Sequence, residues 1–347
     1  MKRFLLITMT GLTILSFGLV GTGANPALAG ATRELKFQST YPPPHVTVKK
    51  AFEPWFKEVG EKSGGALEVV FFPPRAIVKE NETFEGAEAG LVDIGTSMCG
   101  RNPGKFPLHS IAELPLLFPT AEVASKVIYN SFEEIPELKK EFEGVKMLWQ
   151  WSSSTAHLLT TKKQVKKMED LKGLKIIGYT PMMLETIKAL GANPLQIPPL
   201  DAYLALERGM ADGIIMSFAG ARSLKLNESC KYAAKADVLT ITFYSVMSPI
   251  TYDGLTADQK KVVDETTGLK MAARCGLALD KGDAAAGQWL KQQGLDIYVI
   301  PQSEKARWLK AVQPIYDRLI SNLESKGYSS ARRVLEATRT MVAQMSK

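Results

Sequence analysis

Apolar residues recur along this chain in two alternating rhythms: short runs with every second position apolar, and longer runs with apolar positions three or four apart. From Leu35 the run LKFQST alternates as a half-buried strand does, and Tyr41-Pro42-Pro43-Pro44 ends it. Phe52, Trp55, Phe56 and Val59 then keep helical spacing up to Gly64-Gly65, with Pro54 implying a kink or a late start. LEVVFFP (67–73) predicts a second strand. A helix follows over 84–89, stopped by Gly90, and then a short buried strand over 91–95. Strand, helix and strand in this order predict parallel pairing.

The same phrase recurs later, where AYLALER (202–208) leads into GMADGII (209–215), so one supersecondary unit is built twice. Between the copies, 145–151, 157–160 and 174–179 read as strands and 181–190 as a helix closed by Gly191. A strand over 238–245 precedes a long helical pattern from an N-cap at Thr256 to Gly294. A strand at 295–300, a capped start at Ser303-Glu304 and helix interrupted at 327–329 complete the chain. The expected fold class is α/β, two lobes with a long helix spanning both. Lobe I takes 30–154 with 243–282, and lobe II takes 155–242 with 283–310. The remainder, 311–347, is a C-terminal helical segment packed on the lobes.

Composition narrows the partners. The 43 Lys+Arg and 36 Asp+Glu give a net charge of +7 over 347 residues, but the signs are interleaved, unlike the one-sided basic stripe of a nucleic-acid binder. Cys99, Cys230 and Cys275 lie far apart without a CxxC, and the histidines are His45, His109 and His157, so no metal site and no cofactor is expected. At the N-terminus, Lys2-Arg3 precedes an apolar stretch over 4–20 and then Ala27-Leu28-Ala29, the pattern of an export leader cleaved after Ala29. Later segments lack about 18 uninterrupted apolar residues, so the exported chain is not expected to span a membrane.

Catalytic phrases such as GxSxG, GxxxxGK[ST] and HExxH are absent. Ser152-Ser153-Ser154-Thr155 beside His157 suggests a nucleophile and base, yet serines at a strand end more often bond nearby backbone. The adjacent carboxylates Glu169-Asp170 and Asp264-Glu265, and the lysines at 162, 163, 166, 167, 172 and 175, read as solvated surface.

Five phrases in order carry a further signal: EVGEKSGG (58–65), GLVD (90–93), ELPLLF (113–118), DLKGLKI (170–176) and Tyr203-x-Ala205-Leu206-x-x-Gly209-x-x-Asp212-Gly213. Together they resemble the extracytoplasmic substrate-binding subunit of tripartite ATP-independent periplasmic (TRAP) transporters. The resemblance implies a two-lobed periplasmic binding protein of Venus-flytrap form, which closes on a small organic ligand and delivers it to the small and large subunits of a membrane permease.

The resemblance also implies the site. In the family an arginine that pairs a substrate carboxylate follows DLKGLKI, and here that position is Ile177. Positions used by some relatives fall on Met98, Arg101, His157 and Met216, while Thr40 and Tyr41 lie on the loop after the first strand, which faces the cleft in the family, and Tyr179 is a further candidate. The expected cleft is therefore apolar and deformable, with His157 and Arg101 as polar handles. It suits a monocarboxylate, an aromatic molecule or a neutral one rather than a dicarboxylate, since a second buried carboxylate without a cation is costly. Two other classes remain open: a secreted hydrolase or lyase on the same scaffold, and a receptor presenting its ligand to a sensor.

Overall fold

The computed structural model describes residues 32–346, so the expected leader lies outside the described residues. Two sheets organise the chain. The first runs β2–β1–β3–β10–β4, formed by β1 (Arg33–Gln38), β2 (Leu67–Phe72), β3 (Ile94–Met98), β4 (Lys146–Ser152) and β10 (Thr242–Met247). The second runs β11–β9–β5–β8–β6–β7, formed by β5 (His157–Thr160), β6 (Lys175–Gly178), β7 (Asn193–Gln196), β8 (Gly213–Met216), β9 (Tyr232–Lys235) and β11 (Asp296–Val299). Helices α1 (Glu53–Lys62), α2 (Thr83–Glu88), α3 (Ala121–Glu134) and α4 (Pro136–Lys140) belong to the first half. Then come α5 (Pro181–Ala189), α6 (Ala202–Glu207), α7 (Phe218–Ser223), α8 (Pro249–Asp253), α9 (Ala257–Thr266), α10 (Leu269–Gln292), α11 (Gln302–Ser325) and α12 (Ala331–Met345). This is the two-lobed α/β fold expected.

Parallel pairing holds within the first copy of the repeated unit, where β1 lies parallel to both β2 and β3. The phrase itself has a physical role. In each lobe its glycine turns the chain at positive φ, 75° at Gly90 and 68° at Gly209. Its aspartate then accepts a backbone N–H from a neighbouring strand, Asp93 from Lys36 at 2.8 Å and Asp212 from Lys175 at 2.8 Å. The strand expected at 91–95 begins only at Ile94, because Leu91 to Asp93 make this turn and leave Leu91 exposed.

Besides the long helix α10 that follows β10, two extended crossings join the lobes, residues 153–156 outward and 236–241 back. They pair with each other: Val238 N–H donates to the Ala156 carbonyl at 2.7 Å, Ala156 N–H to Leu239 at 2.9 Å, and Ser153 N–H to Ile241 at 2.9 Å. Part of the strand expected at 238–245 is thus a hinge ribbon, and β10 starts at Thr242.

The expected long helix is two. Thr256 caps α9 in a reciprocal pair with Gln259, but the chain breaks at Gly268 (φ 71°), whose N–H donates to the Leu148 carbonyl at 2.7 Å. The second piece, α10, is the one that spans both lobes. A Cβ at Gly276 would lie 2.6 Å from the Ala121 carbonyl, and one at Gly287 would lie 2.9 Å from the Phe218 ring, so glycine permits close approach to α3 on one lobe and α7 on the other.

Other boundaries moved for local reasons. Pro54 sits in the first turn of α1, after a single π-helical turn at Val48–Phe52, which resolves the late start. No side chain caps α11. Its Glu304 turns inward instead, accepting from Met168 N–H at 2.7 Å and the Trp308 indole at 3.0 Å. Strands β7 and β9 escaped the pattern, since β7 carries Pro194 at the sheet edge and β9 (YAAK) offers only two alanines to the core.

Lobe I is held by an aromatic core in which Trp149 lies 5.0 Å from Trp55 and 6.0 Å from Phe52, all three buried. Replacing Trp149 with alanine is expected to destabilise the protein by about 3 to 5 kcal/mol, read as a lowered urea midpoint.

Candidate functional site

In the first sheet β1, β2, β3 and β4 all end on one edge, because β10 is antiparallel to both β3 and β4. In the second sheet β6, β7, β8 and β9 end on the edge where β5 begins. The two crossings leave from these edges, so the carboxyl ends of both sheets look into the space between the lobes. Open α/β sheets place their ligands at such ends.

From lobe I this edge carries aromatic residues. Tyr41 stacks on His45 at 3.8 Å with an interplanar angle of 2°, and lies 5.4 Å from Phe243, which stacks on Trp151 at 5.2 Å. Met98 pairs with Phe243 across the β3–β10 ladder. Burial lowers the His45 pKa to about 4, so this imidazole is neutral at pH 7, and burial also raises the Tyr41 phenol. The indole Nε1 of Trp151 is buried without a hydrogen-bond partner. Thr40 is fixed by its N–H on Thr96 Oγ1 at 2.7 Å.

From lobe II comes His157, opposite Met216 in the β5–β8 ladder and 1% exposed. Its ring lies 4.3 Å from Phe218. Nδ1 accepts the Asp237 N–H at 3.4 Å, which places the proton of a neutral ring on Nε2. Nε2 is 3.5 Å from Asp283 Oδ2 but completes no hydrogen bond, leaving a buried donor unpaired. Asp237 stands 3.8 Å from Nδ1 and is bound by Lys305 and by the Thr155 hydroxyl at 2.9 Å. Its carboxyl titrates below the ordinary range: burial opposes this, and the attraction of a protonated His157, with the bonds from Lys305 and the Thr155 hydroxyl, outweighs the burial.

Ile177 and Met216 are buried, packed with Leu159, Ile214 and Phe218 in the lobe II core. Tyr179 is half-buried at the end of β6, its phenol pushed up to about 12 by burial. Arg101 is 47% exposed on the loop after β3, 2.8 Å from Glu80. The structure thus brings Tyr41 and Met98 together on lobe I and His157 and Met216 on lobe II, while Ile177 points into a core and Arg101 lies at the rim.

The serine cluster is spent on backbone. Ser153 Oγ accepts the Ile241 N–H at 2.9 Å and donates to Ser154 O at 2.9 Å, while Ser154 Oγ donates to Leu279 O at 3.2 Å. Sequence reasoning missed Asp237 and Asp283, which reach His157 from the hinge and from α10. No local motif marks them. The lysines at 162, 163, 166, 167, 172 and 175 are all exposed, and the three cysteines are buried and free.

A two-lobed solute-binding protein is the class this fold and cleft define. Residues 37–322 match bacterial extracellular solute-binding protein family 7, DctP, and the chain belongs to this family of TRAP solute-binding subunits. It is 24% identical over 336 residues to the C4-dicarboxylate-binding periplasmic protein DctP of Rhodobacter capsulatus, covering 96% of this chain and 98% of that one. A TRAP solute-binding protein from Rhodoferax ferrireducens, in complex with copurified benzoate, aligns with TM-score 0.81 at 26% identity over 91% of this chain and 99% of that one. Another from Bordetella bronchiseptica, with bound (R)- and (S)-mandelate, shares the fold with TM-score 0.77 at 24% identity over 90% of this chain and 99% of that one.

One half-buried carboxyl beside the cleft sets a pH dependence. Glu113, from ELPLLF, accepts the Thr242 N–H at 3.1 Å, and burial pushes its pKa up from 4.5 to about 7. A raised carboxyl pKa favours the fold below the unfolded value, and that contribution is lost as pH rises from 4.5 through about 7. Glu113→Gln is expected to remove about 1 to 3 kcal/mol of this decline, seen as a flatter profile of melting temperature across that window.

Proposed function

We propose that this protein captures an organic molecule with an apolar or aromatic body and at most one carboxylate, closing its lobes around it without transforming it. In this reading Thr40, Tyr41, Met98, Arg101, His157, Tyr179 and Met216 form the binding surface, with Ile177 packed in the core behind it. The observation that carries it is the pairing of an aromatic lobe I edge with an unpaired Nε2–H on the buried His157. A hydroxyl or carbonyl oxygen of the ligand satisfies that donor, and the rings of Tyr41 and Phe243 face the apolar body. The benzoate and mandelate bound by the Rhodoferax and Bordetella proteins support this ligand class. After export to the periplasm, the closed form delivers its ligand to the small and large subunits of a TRAP permease. Ligand affinity for the closed form supplies the closure.

The test is a thermal-shift screen of the chain from Gly30 onward against aromatic monocarboxylates, dicarboxylates, amines and polyols. About 100-fold excess over Kd adds roughly 2.7 kcal/mol, an easily seen rise in melting temperature. Stabilisation by monocarboxylates is the expected result, and preferential stabilisation by dicarboxylates overturns the ligand class. His157→Ala is expected to weaken binding by about 1 to 3 kcal/mol in isothermal titration, whereas a purely structural histidine leaves affinity unchanged.

A further inference from the structure

The loop after β2 is strapped across the cleft edge of lobe I. Buried Gln38, at the end of β1, accepts the Ile77 and Val78 N–H groups on Oε1 at 2.7 and 2.9 Å and donates Nε2 to the Val78 carbonyl at 2.9 Å. Buried Ser97, in β3, donates to the Glu80 carbonyl at 2.8 Å, which fixes Glu80 above the end of that strand. Arg75 on this strap adopts φ 67°, a left-handed conformation that an arginine holds only when its surroundings impose it.

Two guanidiniums converge there on one carboxylate. Arg75 Nε is 3.4 Å from Glu80 Oε1, and Arg101 Nη2, from the loop after β3, is 2.8 Å from Glu80 Oε2. The Glu80 side chain is 19% exposed, against 71% for Arg75 and 47% for Arg101, so the anion lies beneath and both cations reach solvent at the rim. Two positive charges over one negative leave a single positive charge uncompensated. Each guanidinium carries five N–H donors, more than a shared carboxylate can engage.

We propose that Arg75 and Arg101 together form the handle for the ligand's carboxylate, with Glu80 as an internal competitor that the ligand displaces or shares. The proposal rests on the cleft being an organic-anion site. It assigns the role of the missing guanidinium at position 177 to the opposite lobe, and gives Arg75 and Glu80 a part in specificity. The charge count predicts the same preference: one net positive charge matches one carboxylate and leaves a second unpaired.

The experiment is isothermal titration of the chain from Gly30 onward, whose described residues form one compact unit, with benzoate, mandelate and succinate and with the neutral amides benzamide and mandelamide. Glu80→Gln, which keeps the shape and removes the competitor, is expected to tighten benzoate or mandelate by about two- to fivefold and to improve succinate relative to wild type. Arg75→Gln is expected to weaken the monocarboxylates by about the same factor, with Arg75→Lys intermediate, while amide binding stays the same in every variant. Unliganded melting temperatures establish that each variant is folded. If the carboxylates bind wild type but neither Glu80→Gln nor Arg75→Gln changes their affinity, the handle is overturned and the cleft reading stands. If wild type binds none of the carboxylates, both fall.

Discussion

Helix α10 is the constraint from which the rest of the molecule follows. It carries two carboxylates one turn apart, each closing the exposed N–H groups at the start of a helix in a different lobe. Asp280 accepts from Ala121 and Glu122 at 2.8 and 2.9 Å, at the start of α3, and Asp283 accepts from Ala219 at 2.9 Å, at the start of α7. Gly276 and Gly287 let the same helix approach both partners closely. One rigid rod therefore links the two sheets, alongside the hinge ribbon and the helices α11 and α12, whose apolar residues share one core with α3 of lobe I and with β5, β6 and β8 of lobe II.

That arrangement joins architecture to ligand capture. Asp283 not only caps α7 but stands 3.5 Å from His157 Nε2, so the residue that docks lobe II on α10 also sets the field at the candidate site. On the far side of the imidazole, Asp237 is held in a left-handed conformation (φ 54°) on the returning crossing. Leu116, also at positive φ (60°), donates its N–H to Val238 on the same crossing, and Tyr316 of α11 binds the adjacent Pro115 carbonyl at 2.6 Å. Strained backbone thus gathers at the hinge, where closure must be transmitted.

The cleft keeps few charges, and it separates them. Lobe I presents aromatic faces and places its guanidiniums at the rim over Glu80, while lobe II holds a histidine between two carboxylates. Desolvating a ligand against rings requires little polar compensation, whereas each buried charge requires a partner. An apolar body with one anionic end meets both conditions.

By itself the sequence determined the class of fold, the doubled unit and the family, because alternation, helical spacing and glycine stops are local signals that short windows carry. The GLVD and GMAD phrases were legible for that reason, and so was the cap at Thr256. It also pointed to Tyr41, Met98 and His157, through resemblance rather than chemistry. What it left undecided depends on partners distant in sequence: the break at Gly268, the hinge pairing of 238–241, the inward turn of Glu304, and the convergence of Asp237 and Asp283 on His157. Only the tertiary structure decided these, because a residue's role there is set by which distant backbone or charge the fold brings within hydrogen-bonding range. Ile177 shows the same limit, since the position from which family resemblance infers a lost ligand contact is also the position where packing fills a core.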